Sequence, residues 1–303
     1  MMHVTVTGAV VGVDGSPESE EALIWALEDG RLRNLPVRAV NVWHPTDDPQ
    51  EIERLAALQS VAELRAGLVD EVMSSVHAVV DRARATGVAV TAEVLYGHPV
   101  RELTRTAGAD SLLVVGSRGR GSLTGSILGS VSQGCAQYAD GPVVVVRGRR
   151  PGAPAGRVVV GVDGSSSSVR ALRFADQEAR ARGAALQVVH AWRLPYLGFA
   201  GRSGSLPQDV VDEFGARAGE TLRDSMRRGS VDTTRPDVEM WLVEGLPNLS
   251  LLHAAGNADL LVVGSRGYGG WKGLLMGSVS AQCVTQAPCP VAVIRDGNAT
   301  NAP

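Results

Sequence analysis

A chain of 303 residues has room for two domains of ordinary size, and 44% hydrophobic with 20% charged residues fits a globular protein with real cores. A net charge of −3 without any Lys/Arg block lacks the footprint of a DNA binder, and 4% aromatic residues argue against a stacking surface for single-stranded nucleic acid. The opening MMHVTVTGAVVGVDG has no basic leader and too short an apolar run for a signal peptide or a span, so the expectation is a cytoplasmic protein with no membrane partner.

Taken in order, residues 9–13 form a short apolar run ending at Asp14 and read as a first strand. Ser16 is placed to cap the next helix, with Pro17 at its first position and Glu18, Glu20 and Glu21 in its first turn. That helix is expected to reach about residue 33. Strand two covers 37–43, a loop with Pro45 and Pro49 follows, and 52–86 reads as a long helical stretch. Strand three alternates over 88–96, a short helix covers 100–108, and strand four, 112–115, is wholly apolar. A glycine-rich loop spans 116–129, Ser130 starts a helix, and 143–146 is strand five.

The order then repeats. GVDGS occurs at Gly12 and again at Gly161; VVGSRG at Val114 and Val262; LGSVSQGCAQ from Leu128 matches MGSVSAQCVT from Met276; PVVVVR from Pro142 matches PVAVIR from Pro290. The offset is 149 early and 148 later, because ADSLLVVG in the first copy is ADLLVVG in the second. Strands of the second copy are expected at 158–162, 186–192, 238–243, 260–263 and 291–294. GRRPGAPAG between the copies reads as a linker, which sets the domains at 1–147 and 157–296. Strands alternating with helices imply a parallel sheet with helices on both faces, a doubly wound α/β fold in tandem. Ligands of such sheets bind at the carboxyl ends of the strands, where strand order reverses.

The loop after strand four carries the chemistry. It reads Gly-x-x-Gly, nine residues, Gly-Ser: Gly116, Gly119, Gly129 and Ser130, then Gly264, Gly267, Gly277 and Ser278. Glycines after a buried strand let backbone N–H groups approach an anion, or allow positive φ. A Gly-Ser step that opens a helix presents free amides and the positive end of its dipole to phosphate. A plainer reading makes Ser130 a helix cap, since Ser130 and Gln133 have capping-box spacing; Ala281 breaks that box in the second copy. The acids of the first helix place phosphate away from strand one and at the acid-free strand-four helix. Arg118 and Arg266, inside the loop, are open to pairing with phosphate or to plain solvation.

This motif, flanked by an apolar strand, a helix and PVVVVR, together with GVDGS and a second strand ending NVWH or HAWR, resembles the universal stress protein signature in its ATP-binding branch. The likeness covers both copies nearly end to end. It implies two five-stranded, Rossmann-like domains of the adenine nucleotide α-hydrolase type. It also implies roles: Asp14 and Asp163 against the nucleoside with Gly12 and Gly161 beside them; the backbone of Val42 and Ala191 at the adenine edge. Gly116, Gly119, Gly129 and Ser130 would serve ribose and phosphate, with Val131 following, repeated by Gly264, Gly267, Gly277, Ser278 and Val279; Ser117, Arg118, Ser265 and Arg266 stand inside the same loops as further candidate cofactor-binding residues. The cofactors implied are ATP and Mg²⁺, and the role implied is stress resistance or growth control through nucleotide occupancy. Ala191 in place of Val leaves a backbone contact and a looser adenine pocket. The resemblance also implies that the two domains pair about a pseudo-twofold axis through strands 143–146 and 291–294, with a homodimer of the whole chain and a protein partner left open.

Other signals weigh less. No G-x-x-x-x-G-K-[ST] occurs, and GRGSLTG and GYGGWKG follow the fourth strand rather than the first, unlike a dinucleotide fingerprint. Cys135, Cys283 and Cys289 make no CxxC pair and read as buried. Trp43 and Trp192 read as packing under a helix. The histidines lack metal-ligand spacing, and no nucleophile elbow or repeated Asp/His pair supplies catalytic machinery. The expectation is a binding protein rather than an enzyme, the alternatives being a slow ATPase or nucleotide hydrolase on the same fold, or a dimerisation module.

Overall fold

The structure is a computed structural model that describes residues 6–43, 67, 69, 70, 72–74, 76–79, 87–119, 128–147, 154–194, 207–268 and 276–295. The chain divides into two compact units, one of residues 4–149 and one formed by 150–303 with 1–3. No described helix is long and apolar enough to cross a membrane.

The first unit runs β1 (Gly8–Gly12), α1 (Pro17–Arg33), β2 (Val37–Trp43), β3 (Val90–Tyr96), α2 (Pro99–Ala107), β4 (Ser111–Gly116), α3 (Ser130–Tyr138) and β5 (Val143–Val146). Helix α1 starts where Ser16, in extended conformation, accepts the Ser19 N–H on its hydroxyl, and Pro17 opens the first turn. It ends at Asn34, whose left-handed φ of 54° lets its N–H reach the Gly30 carbonyl. Of the helix expected over 52–86, helical residues recur between 67 and 79; the remainder, and the loop holding Pro45 and Pro49, lie outside the described residues.

All pairings in this sheet are parallel, in the order β3-β2-β1-β4-β5, so β1 lies between β2 and β4 with Ala9 opposite both Val37 and Leu112. Strands β1 and β4 are covered on both faces, which is why Ala9, Val10, Val11 and residues 112–115 are buried and uniformly apolar. Strand one sits one residue earlier than its apolar run suggests, although the Val13 N–H still donates to the Val40 carbonyl.

The second unit repeats the plan: β6 (Arg157–Gly161), α4 (Ser166–Arg182), β7 (Ala185–Trp192), α5 (Gln208–Gly229), β8 (Val238–Glu244), α6 (Pro247–Ala254), β9 (Leu260–Gly264), α7 (Ser278–Gln286) and β10 (Val291–Ile294). Its order is β10-β9-β6-β7-β8, again all parallel. The chain therefore carries two doubly wound parallel sheets, each with its strand order reversing between the first and fourth strands.

Two packing devices recur. Gly12 and Gly161 end the first strands because a side chain there would strike the short helix after the third strand: an added Cβ would lie 3.0 Å from Leu103 of α2 and 2.8 Å from Leu251 of α6. Inside each first helix a fully buried acid pairs one turn on with arginine, Asp29 with Arg33 at 3.6 Å and Glu178 with Arg182 at 3.0 Å.

Candidate functional site

The site begins in the turn after the first strand. The Asp163 carboxylate accepts the Ser165 N–H at 3.0 Å and its hydroxyl at 2.6 Å on one oxygen. Ser165 in turn caps α4 through the Ser168 N–H at 3.2 Å, and the Ser168 hydroxyl donates to the Ser165 carbonyl at 3.0 Å. Asp14, Ser16 and Ser19 make the same set at 3.0, 2.6, 3.2 and 2.9 Å. The sharp reversal between Asp and Ser needs a residue with positive φ, which Gly15 (76°) and Gly164 (84°) provide.

The other Asp163 oxygen reaches across to the strand-four loop and accepts the Tyr268 N–H at 2.7 Å. This close approach explains the second glycine of the motif. A Cβ on Gly267 would lie 2.5 Å from the Asp163 carboxylate oxygen, and one on Gly119 would lie 2.5 Å from that of Asp14. The first glycine answers to the neighbouring helix: a Cβ on Gly116 would stand 2.6 Å from the Glu18 carbonyl, and one on Gly264 2.8–2.9 Å from Ser167 and Ser168. Positive φ, one of the two uses expected for the loop glycines, is absent from these positions. They are small because backbone, carboxylate and helix meet there.

The far end of the loop is closed by hydrogen bonds. The Gly129 N–H donates to the Ser117 carbonyl at 2.8 Å, and the Gly277 N–H to the Ser265 carbonyl at 2.8 Å. These two amides are thus engaged within the protein, and the amides that open α3 and α7, from Ser130 and Ser278 onward, are the ones available to a ligand. Ser130 does not cap its helix. Gly129 and Gly277 are the N-caps, neither offers a side-chain bond, and the first turns contain no acid. The serine two residues on closes the loop instead: the Ser132 hydroxyl donates to the Ser117 carbonyl at 3.0 Å, and that of Ser280 to the Gly264 carbonyl at 2.6 Å. Residues 120–127 and 269–275, most of the nine-residue span of each motif, lie outside the described residues.

In the second unit these parts surround a cavity of about 450 Å³ at the carboxyl ends of β6 and β9. Its lining combines the polar Asp163, Ser278 and Ser280 and the glycines Gly267 and Gly277 with the apolar Val162, Val189, Ala191, Pro247, Leu251 and Val263. Gly161, Gly264 and Arg266 also line it, so every candidate residue of the second copy except the buried Ser265 reaches the cavity. In the first unit Gly12, Asp14, Val42, Gly116, Ser117, Arg118, Gly119, Gly129, Ser130 and Val131 hold the corresponding chain positions.

Missed from sequence were Ser19 and Ser168, Ser132 and Ser280, Tyr268, and the wall of Pro247 and Leu251. The first two pairs had a signal in the repeat itself, because each serine recurs at its equivalent position. The carbonyl of Val162, beyond strand β6, receives His190 Nδ1 at 2.7 Å, so that nitrogen carries the proton. Asn41 Nδ2 donates in the same way to Val13 at 2.8 Å.

Arg118 reaches the Glu18 carboxylate at 3.0 Å. Burial first, and the charge of Arg118 second, hold Arg147 below the usual guanidinium range. Trp43 packs against Tyr96 of the neighbouring strand, ring centroids 5.2 Å apart, rather than only under a helix; Trp192 lies against Gly215 of α5. Cys135, Cys283 and Cys289 are all buried, and burial pushes the first two thiols up to about 12. Among the described residues no cluster of His, Cys, Asp or Glu is arranged for a metal.

The universal stress protein family model matches residues 8–147 and again 155–295. A universal stress protein of Mycobacterium tuberculosis is 34% identical over 96% of both chains. One from Mycolicibacterium smegmatis is 32% identical over 96% of this chain and 98% of its own. A crystal structure of a universal stress protein from Archaeoglobus fulgidus superposes with a TM-score of 0.63 at 22% identity, over 95% of this chain and 98% of that one, which is a likeness of fold. The chain belongs to the universal stress protein family, with two of its domains in tandem.

Proposed function

We propose that each repeat binds ATP with Mg²⁺ in its glycine-rich loop and that the protein acts as a regulator through nucleotide occupancy, in stress resistance or growth control. The observation that carries this reading is the second unit's cavity, whose lining joins apolar side chains to the first residues of a helix with no side-chain cap and no acid in its first turn. Its volume falls within the range of small-molecule sites, roughly 300–1,000 Å³. The apolar lining suits a base, which the backbone of Ala191 would contact. The amides of Ser278, Val279 and Ser280 suit phosphate oxygens, whose charge the helix dipole favours. Ser278 is exposed and its hydroxyl is not used as a cap, so it is placed to add a further donor. Mg²⁺ would be held mainly by the phosphates and water, supplying charge neutralisation between them.

Gly119→Glu and Gly267→Glu test the reading, since either side chain would be driven into an aspartate carboxylate and across the loop. Isothermal titration with MgATP should show two binding events in the wild type, one in each variant and none in the double variant. A single-turnover assay on the same chains separates binding from hydrolysis. Unchanged ATP affinity in the double variant removes the proposal. Rapid release of ADP that both substitutions abolish replaces the regulator with a nucleotide hydrolase.

A further inference from the structure

The two repeats differ at one position beside the loop. Glu18 and Ser167 are equivalent residues of α1 and α4, and each packs on the first loop glycine, Gly116 or Gly264. In the first repeat the Glu18 carboxylate binds the loop arginine, Arg118, at 3.0 Å. In the second, the buried Ser167 hydroxyl donates to the backbone carbonyl of Arg266, and no carboxylate stands at that position. The difference extends along the helix start. Glu18, Glu20 and Glu21 of the first repeat are Ser167, Val169 and Arg170 in the second, whose first turn holds no acid. Arg266 lines the second cavity.

We propose that the two repeats are unequal nucleotide sites, the second binding triphosphate more tightly, and that Glu18 against Ser167 sets the inequality. This rests on the nucleotide reading above. A triphosphate approaching the first loop meets a carboxylate that already engages Arg118 and adds its own repulsion. One approaching the second meets an uncharged serine at the equivalent position. The residue discriminates on ligand charge, so the gap should be widest for ATP, narrower for AMP and smallest for adenosine, and should shrink as salt screens it.

The experiment is calorimetric titration of the full chain with MgATP at low salt. The Gly267→Glu background reports the first repeat alone, and the Gly119→Glu background the second. The second site should be about tenfold tighter, the order of one unit-charge interaction near a protein surface. Glu18→Ser in the Gly267→Glu background should recover that tenfold, and Ser167→Glu in the Gly119→Glu background should lose it. Each substitution installs what the other repeat already carries. Two sites of equal affinity, or a first site unmoved by Glu18→Ser, overturn the inequality and leave the nucleotide reading standing. No heat from the wild type at millimolar MgATP overturns both. An adenosine gap as large as the ATP gap overturns charge as the cause.

Discussion

The turns after the first strands and the helix starts beside them make an instructive pair. From Asp to the second serine, the two repeats reproduce their hydrogen bonds within 0.2 Å, Asp14 to Ser19 against Asp163 to Ser168. One residue aside, they diverge from a carboxylate to a hydroxyl. The difference teaches which groups the fold itself demands. Asp, Gly and both serines organise the turn, cap the helix and receive the strand-four loop, so they stand in both copies. The side chain at position 18/167 takes no part in the turn's aspartate contacts or the helix cap and reaches the loop arginine instead, so its chemistry is free to differ with the ligand.

The buried acid of the first helix carries the comparison into stability. Glu178 is fully buried and Arg182 engages one of its oxygens through two nitrogens, at 3.0 and 3.1 Å. Asp29 is as deeply buried, but its nearest approach to Arg33 is 3.6 Å. Removing the cation from a buried carboxylate costs about 3–5 kcal/mol. Arg182→Met is therefore expected to take about that much from the second unit in urea unfolding, and Arg33→Met distinctly less from the first. Equal losses would show that the shorter, two-pronged contact confers no advantage.

The loop glycines give the next largest effect. A Cβ at Gly116 meets the carbon and oxygen of the Glu18 carbonyl, both at 2.6 Å, and neither can rotate away. At Gly264 the nearest atom is the Ser167 hydroxyl at 2.8 Å, with backbone at 2.9 Å. Overpacking of this kind costs about 1–3 kcal/mol. Gly116→Ala should fall at the upper end of that range and Gly264→Ala lower. Thermal unfolding of the two variants decides the order; a larger shift for Gly264→Ala would mean that the second loop is the more rigid.

Much of this was legible in the sequence. The apolar runs of β1, β4 and β5 and the turn chemistry of Asp-Gly-Ser placed strands and helix starts to within one or two residues, because each signal is local. The repeat supplied the domain organisation and aligned the two loops. What the sequence withheld was the engagement of individual atoms. Nothing in the spacing says that the Gly129 amide closes on Ser117 while the helix cap lacks a side-chain bond. The capping-box spacing of Ser130 and Gln133 even pointed the other way. Nor does periodicity reveal Asp29 or Glu178 as buried. A charged residue in a helix pattern reads as a solvated face until the arginine one turn on is seen folded over it.

The smallest expected effect reports on both repeats at once. Cys135 and Cys283 occupy equivalent positions on α3 and α7, and burial pushes both thiols from 9.0 up to about 12. A folded-state pKa raised in this way favours the protonated form, so the stability it reflects is complete below pH 9, where folded and unfolded thiols are both neutral. It is lost as pH climbs from there towards 12, because the unfolded thiols ionise first. The Tm of the wild type should accordingly fall more steeply above pH 9 than that of the Cys135→Ala, Cys283→Ala double variant. At pH 8 neither thiol should react with iodoacetamide while the chain is folded, since only thiolate reacts and access requires opening. Mass spectrometry of partially labelled protein then reads which repeat opens first. The longer ion pair in the first unit predicts Cys135 ahead of Cys283, and the reverse order would place the weaker packing in the repeat with the shorter pair.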